Sequence, residues 1–121
     1  MTEKEKDEAF EYVLDKIARN ALLKLQMDPD DERYVFLVKL VLVNFSELNT
    51  DEYLFQYVQK HLENKNIQIP QEEVQEIVRK TRENCDRQHY ALELALDQIE
   101  NNNLSGIEVY NNLSGFLSRS V

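Results

Sequence analysis

Asp28-Pro29-Asp30-Asp31-Glu32-Arg33-Tyr34-Val35-Phe36-Leu37-Val38-Lys39-Leu40-Val41-Leu42-Val43 is the stretch on which the fold class turns. From Tyr34 onward it is apolar almost all round, and two readings compete. Its β-branched and aromatic residues suit a buried strand. Its opening suits a helix, with Asp28 as N-cap, Pro29 at the first helical position, and Asp30, Asp31 and Glu32 at the positive end of the dipole. A strand also needs a second strand to pair with, and no other segment offers one. The stretch is therefore read as a central helix buried by its neighbours.

Working outward, the preceding segment from about Thr2 to Met27 places Phe10, Val13, Leu14, Ile17, Ala21 and Leu25 at helical spacing, behind an acidic opening of Glu3, Glu5, Asp7 and Glu8. On the other side, Asn49 and Glu52 stand three apart like a capping box. The helix they open runs to about Glu63, burying Leu54, Tyr57 or Val58, and Leu62. Residues Asn64 to Ile69 read as a loop, and Pro70 starts a further helix.

From Pro70 to Asn101 the apolar stripe is Val74, Ile77, Val78, then Leu92, Ala95, Leu96 and Ile99. Its seam turns polar at Thr81, Cys85 and Gln88 or His89, so two readings stand: one continuous helix, or a break near Asn84-Cys85-Asp86 with Asp86 as the second cap. After a turn at Asn101 to Asn103, Ser105 and Glu108 form a capping box with Leu104 and Val109 as its staple. The last helix then packs Val109, Leu113, Phe116 and Leu117. With two Gly and two Pro among 121 residues, the punctuation favours few, long elements over many short strands. The expected fold is all-α, a single domain over residues 1–121 built as a bundle of five or six helices.

Twenty-three acidic residues face fourteen Lys and Arg, giving a formal net charge of -9. That balance argues against direct nucleic-acid binding, whose affinity comes from cations that displace counterions. It favours a basic protein partner and speeds the encounter. The acidic opening is unlike a signal peptide, and the apolar run from Tyr34 to Phe45 is too short to span a bilayer. A soluble, cytoplasmic protein with no membrane association is the default expectation. The lone Cys85 forms no intramolecular disulfide.

Chemistry-bearing patterns are sparse. Cys85 and His89 share a helix face at four-residue spacing, but no third residue orients them and no glycine-built oxyanion hole accompanies them. The residues from Asp28 to Glu32 lack the Gly and the twelfth-position ligand of a calcium loop, and two dispersed histidines make no zinc motif. Neither a metal nor another cofactor is expected, and no catalysis. The basic cluster Arg79, Lys80, Arg82 and Arg87 reads as a self-neutralised ladder pairing Glu76–Lys80, Arg79–Glu83, Arg82–Asp86 and Glu83–Arg87. A helix-turn-helix over Leu104 to Arg119 would need Gly115 as its turn and would carry Arg119 as its one cation.

Two acidic patches remain, one along the first helix (Glu8, Glu11, Asp15 and the acids before them) and one at Asp28, Asp30, Asp31 and Glu32. Together with Tyr34 as an aromatic anchor, they are the expected partner-binding residues. The expected function is a non-catalytic domain that covers and neutralises a basic protein (a toxin, nuclease or other enzyme), in the manner of an immunity protein, antitoxin or phage-encoded inhibitor. The alternative is a self-associating helical module, a homodimer, in which a second copy covers the apolar Tyr34–Val43 segment and the split stripe from Pro70 to Asn101.

Overall fold

The computed structural model describes residues 1–118, and within them the chain forms six helices and no strand. These are α1 (Glu3–Lys24), α2 (Glu32–Val43), α3 (Asp51–Asn64), α4 (Gln71–Asn84), α5 (Asp86–Asn102) and α6 (Gly106–Ser118). The all-α bundle expected from the sequence is what the chain adopts. Helix α2 sits at its centre, packed against α1, α3, α4 and α5, while α1 also packs against α5 and α6. That placement explains why α2 is apolar on so many sides: Val35, Leu37, Val38, Val41 and Leu42 are all buried. The segment finds its cover within its own chain.

Thr2 opens α1 with a full capping box, its hydroxyl accepting from the Glu5 amide while the Glu5 carboxylate accepts from the Thr2 amide. At the other end of α1, Gln26 takes a left-handed backbone (φ 60°) and the Met27 amide reaches back to the Leu22 carbonyl at 2.8 Å. Asn66 repeats this after α3 (φ 57°), with the Ile67 amide bonded to the Leu62 carbonyl, and Asn103 ends α5 at φ 56°. These αL closures are the task usually given to glycine. Six helices are therefore delimited in a chain with only two Gly.

Several boundaries differ from the sequence expectation. Asp28 is not the cap of α2; Asp31 is, and its side chain accepts from the Arg33 amide at 3.1 Å. In a helix starting at Pro29, the Pro29 carbonyl would take the Arg33 amide. Here Arg19 takes that carbonyl at 2.8 Å, and Asp28 instead closes a turn by accepting from the Asp30 amide at 2.9 Å. Asn49 likewise does not cap α3. Thr50 does, bonded to the Tyr53 amide, while the Asn49 amide side chain closes the loop onto the Asn44 carbonyl.

The break near Asn84-Cys85-Asp86 is present, but Asp86 is the first residue of α5 and no side chain caps that helix. The seam residues Thr81, Cys85 and Gln88 are buried at this corner, and Leu96, expected in the stripe, is exposed. Ser105 caps α6 through the Glu108 amide at 3.3 Å, the one arm of its expected box that forms. Helix α6 runs unbroken through Gly115, which removes the helix-turn-helix reading; Arg119, its one proposed cation, lies outside the described residues. No helix among the described residues is long and apolar enough to cross a membrane.

Candidate functional site

The two acidic patches belong to one surface, because α1 and α2 run as an antiparallel pair. Lys39 on α2 meets Glu11 at 2.8 Å and Asp15 at 3.3 Å on α1, while Arg19 on α1 meets Glu32 on α2 at 2.8 Å. Arg19 makes five hydrogen bonds: two to Asp15, two to Glu32 and one to the Pro29 carbonyl. All three recipients are negative or partially negative, and the planar guanidinium serves each from a different edge. The result is a clasp that fixes the turn before α2 onto the fourth and fifth turns of α1.

Electrostatics follow from that clasp. The hydrogen bond from Arg19, then the contribution of Lys39, holds the Asp15 carboxyl below its ordinary range despite partial burial. Burial opposes the charge on Lys39, yet Glu11 and Asp15 together raise its pKa. Asp31 is also held low, chiefly by its hydrogen bond to Arg33. These acids stay ionised because their own chain supplies the counter-charge.

The remaining acids of the face differ. Glu8 and Asp30 are exposed and have no cation or hydrogen-bond donor among the described residues, and Asp28 spends one oxygen on its turn. Glu8 shares the α1 face with Glu11 and Asp15 at three- and four-residue spacing. The structure thus divides the expected site residues. Glu11, Asp15, Asp31 and Glu32 are internally paired, whereas Glu8, Asp28 and Asp30 face outward without a counter-ion. Tyr34 is half-buried, its hydroxyl bonded to Glu73 and its ring covered by Arg33 at 5.2 Å. Glu73 first, then burial, raises its pKa.

The bracing cations Arg19 and Lys39 were not legible as site residues. Asp15 and Arg19 at four-residue spacing were a visible local signal; the contacts to Pro29 and Glu32 had none.

Elsewhere the polar groups are spent on structure. Cys85 is buried, and desolvation pushes its thiol up to about 11, with Lys24 pulling the other way and Asp86 adding to the rise. His89 engages Glu93 at 3.3 Å and packs on Phe45 with ring centroids 4.3 Å apart, and no hydrogen bond joins it to the thiol. Half of the basic ladder forms, as Arg79–Glu83 at 2.8 Å and Lys80–Glu76 at 3.8 Å. The other half does not: Arg82 crosses to Asp51 on α3, and Arg87 donates to the Phe116 carbonyl on α6. Both serve contacts between helices rather than along one. Among the described residues no group of three His, Cys, Asp or Glu is placed to hold a metal ion.

An open cleft of about 670 Å³ lies at the C-terminal end of α1, between that helix's last turns, the α4–α5 corner and the end of α6. Comparison with known proteins finds no family model, no curated protein and no solved structure that matches the chain.

Proposed function

We propose that this chain is a non-catalytic protein-binding domain that neutralises a basic protein target, acting in the manner of a toxin-immunity protein, an antitoxin or a phage-encoded inhibitor. The observation that carries this reading is the division of the acidic face. Lys39 and Arg19 hold Glu11, Asp15 and Glu32 rigidly between α1 and α2, while Glu8, Asp28 and Asp30 at its margins lack counter-ions among the described residues. The outward acids carry no counter-ion among the described residues, so their charge is available to a basic partner. The field of this face attracts a basic partner and raises the association rate, in proportion to how little salt screens it. Arg or Lys of the target would pair with the outward acids.

The buried, high-pKa Cys85 supports the absence of nucleophilic chemistry, since the thiolate is the reactive form. For self-association, one of its two motives weakens, because Val35, Leu37, Val38, Val41 and Leu42 of α2 are covered within the chain; the split stripe from Pro70 to Asn101 remains as the other. The test is affinity capture from native cells using the wild-type chain and a double variant, Glu8→Lys with Asp30→Lys. Both positions are exposed, so the fold is expected to persist. The proposal expects one basic protein, recovered stoichiometrically by the wild type, released by salt and lost with the variant. Capture indifferent to both salt and charge reversal would sink it.

A further inference from the structure

We propose that the cleft at the α4–α5 corner binds a small ligand of the nucleoside-monophosphate class, a flat nitrogenous ring carrying a phosphate. This site is separate from the acidic face and does not depend on the partner reading. Its volume of about 670 Å³ falls in the range of small-molecule sites. Two cations line it, Lys24 and Arg87, and neither pairs with a carboxylate among the described residues. The uncapped N-terminus of the seventeen-residue α5 opens at the same place. Backbone amides at a helix start complement a phosphate in the same sense as the two cations.

The second observation is Gln88. It is 3% exposed, its Nε2 donates to Asn20 Oδ1 at 2.7 Å, and its Oε1 has no donor. A buried acceptor left unmet is costly, and the soft terminal torsion of glutamine lets that oxygen turn toward an incoming N–H. A phosphate supplies no such donor, whereas a nitrogenous base does. The rim offers Tyr90 and Leu23, 51% and 59% exposed, beside Phe116. Aromatic faces of this kind stack bases. Arg87 already lies over the Phe116 ring at 4.7 Å, which holds the guanidinium at the cleft while its remaining N–H groups stay free for an anion. Asp86 on the same rim opposes a phosphate. It sits in the first turn of α5 and takes up part of the helix dipole there, so Lys24 and Arg87 supply most of the attraction for an anion. The net charge of the chain repels anions only weakly at the cleft, because salt screens beyond about 8 Å.

The test is titration of the whole chain with adenosine monophosphate, followed by amide NMR, with adenosine and inorganic phosphate as separate probes. The proposal expects saturable shifts confined to the α1 end, the α4–α5 corner and α6, with a dissociation constant below about 1 mM. Adenosine and phosphate each bind more weakly. Lys24→Gln and Tyr90→Ala, both at exposed positions, weaken the nucleotide by about fivefold or more while the melting temperature stays within about a degree or two. Absence of shifts at millimolar nucleotide would overturn the proposal. So would phosphate alone binding as tightly as the nucleotide, or affinity unchanged in both variants.

Discussion

Replacing Arg19 by Met keeps the length and apolar stem of the side chain while removing every hydrogen bond of the clasp. The hydrogen bond to the Pro29 carbonyl, at 2.8 Å from a charged donor, contributes on the order of 1.5–2 kcal/mol. The two-point pair with Asp15, whose side chain is 28% exposed, contributes about 1 kcal/mol. The pair with Glu32, 72% exposed, contributes only about 0.3 kcal/mol because solvent screens it. The expected loss is about 3 kcal/mol, or a melting temperature lower by about 10 °C for a domain of this size. Urea unfolding of wild type and variant measures it directly.

The acid limb gives an independent reading. Asp15 is depressed in the folded state, first by Arg19 and then by Lys39. Its linked stability is therefore fully present above the unfolded carboxyl pKa of about 3.9, and is lost as pH falls through the lower folded value. Without Arg19 the folded value moves back toward the unfolded one. The gap between wild type and Arg19→Met should then narrow as the pH falls below about 4. A loss under about 0.5 kcal/mol, or a gap that stays constant into acid, would refute the clasp as the fastening between α1 and the turn before α2.

The two glycines should respond in opposite directions. A Cβ on Gly106 would meet the Ala9 carbonyl oxygen at 2.9 Å and Tyr12 Cβ at 3.0 Å, so Gly106→Ala should cost about 1–3 kcal/mol in urea unfolding by prising α6 off α1. Gly115 has open space around its missing Cβ within a helix, and Gly115→Ala should stabilise by about 0.5–1 kcal/mol in the same assay. Gln26→Gly should add about 1 kcal/mol, because Gln26 holds a left-handed backbone that glycine adopts freely; a loss on substitution would place its value in contacts instead. Cys85 should resist a thiol reagent at neutral pH and react fully in denaturant, and rapid labelling of the folded chain would contradict its burial and raised pKa.

Periodicity carried the fold a long way, since the stripes of α1, α3 and α6 follow from helical spacing, while the break after Asn84 decides between two readings that the polar seam left open. Where the reading slipped, a tertiary contact had outbid a local signal. Asp28-Pro29 has the chemistry of a helix start, but Arg19, ten residues before Pro29, claims the carbonyl that start would need. Arg82 and Arg87 stand at ladder spacing from acids on their own helix, yet they reach Asp51 and the Phe116 carbonyl on other helices. No local pattern reveals such competition, because the energies of neighbouring and distant acceptors are alike. The candidate face was legible as acidic composition. Its internal bracing was not, since Lys39 meets Glu11 across twenty-eight residues of chain.

The disposition of cations explains how the bundle tolerates its charge. Lys6 links α1 to Glu100 on α5, Arg19 and Lys39 link α1 to α2, and Arg82 links α4 to α3. Each of these four cations bridges two elements that would otherwise present like charges to one another. The surplus of acids is displaced outward, to positions such as Glu8 and Asp30 where water solvates them. Self-repulsion among those outward acids still works against the compact state. Neutralising them with Asn or Gln would relieve it at no cost to packing, since they touch nothing that holds the fold. Against that relief stands only the weak attraction of acids for the positive end of a helix dipole, which falls off beyond the first turn.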